Sequence, residues 1–497
     1  MKHRDSDGTA SALRNEQGVA LLISLLALSI FSALGFYMAF NGVTEVRISD
    51  NYESHVQARE AALAGISHAR ELIRGIDHNL LLTGPDGTYN NSPSYLTTAR
   101  AVAFRNPLAW AQARAVNIFN PATLVAGFAD DGVISTGKAG SANGTSLIPI
   151  AGIVQTAPNP YGSGTVVTSR YFAKIADNNG EATELAGDAA DNPFTDGDGI
   201  IIVRSMGIAR TLQENSGGLT RANSVVVYET RFRRSTTWSM DSPMIVVGDT
   251  VVPSAPNMFD GNSFDINGGA NNYGVGTIDP NPGVGAPVDD VIKAQLSKNQ
   301  ENNIRGLGGT PSVEDITLSL TSPDDLLLRD PNYLYTFATS IIRSAADTVY
   351  TGNQSWSGGS APDIGYFDPS KPITDSTQRP KIIYVDGDLN VTGNVEGGGI
   401  LVVRGKLSGG GRFVYNGLIL VLGGGDVDMS GWNIGLNGGM FVANLQGAAP
   451  SASFGTPKLT IAGNSNILIN ANAIKMGMEL IPVNTLSTRE VTSSIEP

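Results

Sequence analysis

The sequence predicts an α+β protein in which one long N-terminal helix precedes two β-rich regions. Three observations carry that reading: an uncharged apolar run that passes into an amphipathic stretch, three β-rich segments ending near Arg234, and an aliphatic pattern that repeats between Ile382 and Met440. With 497 residues the chain exceeds one small core, at roughly 100–200 residues per domain. A net charge of −13 leaves no basic surface for phosphates, so no nucleic-acid partner is expected. Cysteine is absent, which excludes disulfides, thiolate nucleophiles and Cys-ligated zinc. The four histidines (His3, His55, His68 and His78) all precede residue 79, so the rest of the chain holds neither a Ser-His-Asp triad nor a multi-His metal centre.

The first element is the helix. Between Gly18 and Thr44 no side chain is charged, and Val19 to Phe40 is almost wholly apolar. Those 22 residues, at about 1.5 Å each, span about 33 Å, enough for a bilayer core of about 30 Å. Lys2, Arg4 and Arg14 precede the run and Glu45 is the first charge after it, which places the N-terminus in the cytoplasm and everything after residue 44 outside. The run is longer than the roughly 7–15 apolar residues of a secretory signal. Beyond it, Ile48, Tyr52, Val56, Leu63, Ile66 and Ile73 fall at helical spacing, with Glu53, Arg59, Glu60, Arg70 and Glu71 on other faces. The expectation is one rod over residues 19–76, with 19–40 transmembrane and the stripe packed on a soluble head.

The segments NEQGVALLISLLALSIFSALGFYMAF, TEVRISDN and QAREAALAGISHARELI, together about residues 14–76, resemble the N-terminus of type IV pilus minor pilins of the PilX kind. The acidic-Ala-Ala-Leu group at Glu60, Ala61, Ala62 and Leu63 strengthens the likeness. The resemblance implies a leader, residues 1–18, cut after Gly18 by a prepilin peptidase to leave Val19 as the mature N-terminus. It implies an assembly helix that includes Val19, Ile23, Gly35 and Phe40, other pilins or minor pilins as partners, and passage from the inner membrane to the pilus or cell surface. Most pilins carry Glu at the fifth mature position, where this chain has Ile23. An unpaired buried carboxylate is costly, so Ile23 eases insertion but removes an attraction that recruits a neighbouring subunit. The implied role is a minor, tip-located structural subunit acting in pilus assembly and adhesion, not an enzyme. The alternative is a permanently membrane-anchored surface-binding protein.

Residues 77–160 are rich in Gly, Pro, Asn and Ser and read as loops, with a short helix around Ala109–Val116. YGSGTVVTSRYFAKIAD, GIIIVRSMGIAR and ANSVVVYETRFRR then read as strands bounded by turn residues. Strands after a long helix suggest an antiparallel sheet packed on it; with the resemblance, residues 77–240 become a pilin-like head. Aliphatic strands starting at Ile382, Ile400 and Leu418 recur every 18 residues, with the next at Met440, 22 later. Each unit ends in Gly- and Asn-rich turns and cannot bury its apolar face alone, so stacking into a small β-solenoid is expected over 241–480. Met244 opens a first rung, LTIAGNSNILIN forms the last, about 271–380 is an insertion with helices near Val288–Leu296 and Tyr333–Ala346, and 481–497 is a tail.

Two candidate sites accompany this architecture. Asp191, Asp196 and Asp198, with Asp188, crowd one loop, and clustered carboxylates suit Ca2+. No Glu stands at the final EF-hand ligand position, so solvated turn residues are the expectation and no cofactor is assigned. Asp386, Asp388, Arg404, Lys406, Asp426 and Asp428 lie near strand ends in successive units, where a solenoid lyase or hydrolase would place its groups, but the repeat alone accounts for such a column. The Gly-rich runs lack the Lys-Ser/Thr ending of a phosphate loop. The ligand of the solenoid is not legible.

Overall fold

The computed structural model describes residues 8–75, 78, 113–114, 116–119, 150–158, 163–178, 199–210, 223–234, 240–283, 286–371, 375 and 377–491. The protein is α+β. Helix α1 (Gly8–Leu72) has 65 residues and, at about 1.5 Å each, is a rod about 100 Å long. Strands β1 (Ile150–Pro158), β2 (Thr165–Asp177), β3 (Ile200–Ala209) and β4 (Ser224–Arg233) pair antiparallel in sequence order. The C-terminal half of α1 lies across this sheet. Ile201 and Val203 of β3 pack with Ile66, Ala69 and Ile73 of the helix, whereas Met206 and Ile208 face the other side with Ile118 and Phe119, the alternation a pleated strand imposes.

After Arg234 the chain builds a second, 16-stranded sheet. Its strands are β5 (Met244–Val247), β6 (Phe259–Asp260), β7 (Asp265–Asn267), β8 (Val275–Ile278), β9 (Ile304–Arg305), β10 (Val313–Asp315), β11 (Thr348–Thr351) and β12 (Gln354–Ser357). They continue with β13 (Lys381–Asp386), β14 (Leu389–Thr392), β15 (Val395–Val403), β16 (Lys406–Gly423), β17 (Asp426–Gln446), β18 (Ser453–Phe454), β19 (Lys458–Ala462) and β20 (Asn466–Leu468). All but β18 pair in parallel. Three ladders run through the stack: Ile382–Ile400–Leu418, Leu389–Leu407–Val427–Leu459 and Val395–Phe413–Ile434. Between the third ladder and the first, Gly399, Gly417 and Gly438 sit in one column with φ of 126°, 145° and 147°. A Cβ on each would strike the main-chain carbonyl of the unit beneath, so the backbone close approach as well as the dihedral requires glycine there.

The first ladder explains why its strands are continuously aliphatic. Ile383, Leu401, Ile419 and Met440 point into the stack, while Ile382, Ile400, Leu418 and Phe441 point outward into a second core. That outer core is closed by Leu328 of the 3-10 turn Leu327–Arg329, which follows α3 (Pro323–Leu326), and by α4 (Pro331–Thr336), the π-turn Phe337–Ile341, α5 (Ile342–Ala345) and α6 (Ala471–Leu480); α2 (Val288–Ala294) packs elsewhere, against β8 and β10. A strand buried on both faces needs apolar residues at every position. The bracing helices start where the sequence says they should: Ser322 accepts from the Asp325 amide at 3.0 Å and Asp330 from the Asn332 amide at 2.9 Å, each followed by proline.

Strand order along the first ladder is β10-β8-β5-β17-β16-β15-β13-β11. The chain thus enters mid-stack, climbs to β10, returns outside through α3–α5, restarts at β11 and climbs until Met440 meets Met244. Strand β21 (Asn484–Val491) then pairs antiparallel with β4, so the whole stack is inserted between two adjacent strands of the first sheet.

Several expectations are corrected here. The helical stripe holds only in its C-terminal part: Ile66 and Ile73 are seated and Leu63 is half-buried, but Ile48, Tyr52 and Val56 are exposed, and the seated face is completed by the small residues Ala58, Ala61, Ala62, Gly65 and Ala69. Met244 opens no first rung but lies inside the stack, and the stretch about 271–380 is not a mere insertion, since it supplies β8 to β12. The segment 481–497 is more than a tail, because β21 completes the first sheet. Met440 pairs with Ile419 rather than Leu418, because the register shifts by one between Ser408 and Gly410; a one-residue slip reverses which side chains face inward. The loop with Asp188, Asp191, Asp196 and Asp198, and most of the Ala109–Val116 helix, lie outside the described residues.

Candidate assembly helix and its seat on the sheet

The rod divides into two chemically different halves. From Val19 to Asn51 the described side chains are almost all solvent-facing, with Val19 at 59%, Ile23 at 60% and Phe40 at 73% exposure. Gly35 and Gly42 have nothing within 4 Å of the position a Cβ would occupy. Gly18 and Val19 lie within the continuous helix. Among the described residues this is one helix long and apolar enough to cross a membrane. So large an apolar surface in water would be strongly unfavourable, at roughly 25 cal/mol per Å2. It calls for lipid or for other helices.

The second half begins at Ser54, whose hydroxyl pairs with that of Ser224 at 2.7 Å. Beyond it the contact is made by small residues. A Cβ on Gly207 of β3 would run into the backbone of Ala58 and Ala62, and a Cβ on Gly65 would run into Ser205 and Tyr171. Helix and sheet are therefore closer than large side chains allow. Tyr171, whose phenol is pushed up by burial, pairs its hydroxyl with His68 Nδ1 at 2.8 Å.

At the rod's end, Arg74 ties the rod to the stack. Its guanidinium donates to the carbonyls of Leu480 at 3.1 Å and Ala345 at 2.7 Å, and to Asp347 Oδ2 at 3.3 Å. Those carbonyls belong to the C-terminal ends of α6 and α5, where a cation is favourable. The Gly75 amide adds a bond to the Glu479 carbonyl at 2.7 Å. Sequence reading missed Arg74 because its partners lie about 270 and 400 residues away. It missed the small-residue face because only large apolar residues were counted; the spacing of Ala58, Ala61, Ala62, Gly65 and Ala69 carried the signal.

The polar column in the stack is brought together as ties between units. Lys406 Nζ meets Asp428 Oδ2 at 2.8 Å, and its amide donates to Asp388 Oδ1 at 2.8 Å. Asp386 pairs with Arg343 at 3.4 Å; Arg404 donates to the Leu422 carbonyl and lies over Tyr335; Ser254 donates to Asp426. Among the described residues no three His, Asp or Glu side chains form a group that could hold a metal ion.

One of these ties gives a pH prediction. Burial favours the neutral acid at Asp428, but hydrogen bonds from Lys406 and Ser430 outweigh it and hold the carboxyl below its ordinary value. A depressed carboxyl contributes stability that is present above the unfolded value, about 3.9, and is lost as pH falls through the folded one. Lys406→Met should therefore shrink the loss of stability between pH 7 and pH 3. Denaturant melts at both pH values check this, and an unchanged difference would show that the pair contributes nothing.

Compared with known proteins, the chain matches no family model, no curated sequence and no solved structure.

Proposed function

We propose that this chain is a membrane-inserted, prepilin-like structural subunit of a type IV pilus or related secretion filament, minor and tip-located. The observation that carries the reading is the two-part rod: an unburied apolar half continuous with a half locked on an antiparallel sheet. Such a helix can exchange lipid contacts for contacts with like helices while its head stays folded outside. The sheet is then the pilin-like head, and the three-ladder stack is a β-solenoid that projects from it and serves adhesion or assembly. The resemblance over residues 14–76 supplies the remaining roles: a leader ending at Gly18, Val19 as mature N-terminus, a prepilin peptidase as processing partner, and other pilins as neighbours along Val19, Ile23, Gly35 and Phe40. The N-terminus would be cytoplasmic and the C-terminus outside the inner membrane. Enzymatic activity is not part of this reading, and neither is a cofactor.

Mass spectrometry of the N-terminus, on sheared filaments and on membranes, tests the proposal. The expected result is a polypeptide beginning at Val19 in the filament fraction. Intact Met1 confined to membranes, with filaments unaffected by deletion of the protein, would replace the reading with that of a fixed surface anchor.

A further inference from the structure

The two ends of the parallel stack are guarded differently. At one end β10 carries Glu314 and Asp315, both exposed, and β9 carries Arg305 in an ion pair with Asp265. Charges on an edge strand are the usual device against pairing with another chain. At the other end β11 and β12 pair with β13 and β14 on one side and, among the described residues, with nothing on the other. Residues 348–362 contain no charged side chain at all, and no proline or register shift interrupts either strand. Thr348, Val349, Tyr350 and Thr351 are β-branched or aromatic, the types that favour strand pairing.

We infer that the β11 edge is an interface at which a second copy of this chain adds its own β11, antiparallel, about a two-fold axis normal to the first ladder. A chain of net charge −13 repels its copies, and the uncharged edge formed by β11 and β12 is a place where they can approach without opposing like charges; Asp363, just beyond it, is paired with Lys381. The nearest carboxylates are already engaged: Asp347 by Arg74 and the Ile382 amide, Asp386 by Arg343. A two-fold axis of this orientation keeps each face of the sheet on its own side, so the pairing must centre on a residue. With Val349 at the centre, it meets Val349 of the second copy on the outer face, and Thr348 meets Tyr350 of the second copy on the inner face. β-Branched and aromatic cross-strand pairs of this kind are favourable. The contact is isologous and closes at two copies.

The chain has no cysteine, so single-cysteine variants of the full-length protein in detergent micelles report the contact directly. Directly opposed residues in an antiparallel pair have Cα atoms about 4.5–5.5 Å apart, within disulfide reach. Val349→Cys should give a disulfide-linked dimer on mild oxidation. Leu318→Cys, 87% exposed near the charged end, should remain a monomer. By sedimentation, Val349→Lys should weaken association about tenfold or more, by opposing two like charges, while the melting temperature stays unchanged at concentrations where both proteins are monomeric. Equal cross-linking at both positions, no cross-linking at Val349, or a Val349→Lys dimer as tight as the natural one would each overturn the inference. The last result would assign association to the apolar half of α1 instead. None of these outcomes depends on whether the chain enters a filament.

Discussion

Gly207→Val is expected to unseat the rod from its sheet. The added side chain would occupy the place of the Ala58 carbonyl and the Ala62 amide, which are backbone atoms of α1 and cannot rotate away. Overpacking a tight site costs typically 1–3 kcal/mol and more when backbone must move, so a loss of about 3 kcal/mol is expected. The readout is denaturant unfolding of the full chain, together with limited proteolysis between residues 52 and 75. Protection should fall there first, while the parallel stack, with its own two cores, stays resistant. A variant as stable as the natural protein would show that the helix is not held by this close approach. If the proposed function holds, the same variant would also fail to carry its head into filaments, because the lifting force would act on a detached rod.

Glu229→Ala should be as damaging on the opposite face of the same sheet. Glu229, 2% exposed, accepts from Arg204 Nε at 2.7 Å and from Arg489 Nε at 2.9 Å, which ties β3, β4 and β21 together. Arg204 is itself 5% exposed. Removing one partner of a buried pair costs roughly 3–5 kcal/mol, because a buried charge loses its compensation. Since Arg489 lies on β21, the C-terminal strand should also become accessible to protease before the rest of the sheet. Glu229→Gln, which keeps the shape and the acceptor oxygen, should lose less. A loss below about 1 kcal/mol for Glu229→Ala would mean that water replaces the carboxylate and that the triad is no clasp.

Much of the local structure was legible because it depends on residues close in sequence. The 18-residue spacing of Ile382, Ile400 and Leu418 is the register of β13, β15 and β16. Helices expected near Val288 and Tyr333 are present, the second capped by Asp330. The face on which α1 sits was read only in part, at Ile66 and Ile73, because tight packing selects small residues, and a count of large apolar side chains cannot see a contact built from Ala58, Ala62, Gly65 and Gly207. The one-residue shift at Ser408–Gly410 was invisible for a related reason: a bulge changes pairing without leaving a composition signal.

By itself the sequence determined an uncharged apolar helix long enough for a bilayer, an α+β chain and a repeating strand pattern, because charge, hydropathy and periodicity are properties of neighbours along the chain. Only the tertiary structure decided that β5 stacks on β17, that β21 closes the first sheet around the inserted stack, and that Arg74 fastens rod to stack. Those contacts join residues roughly 200 to 400 positions apart, and any parallel strand edge offers the same backbone donors and acceptors, so nothing local tells one partner from another.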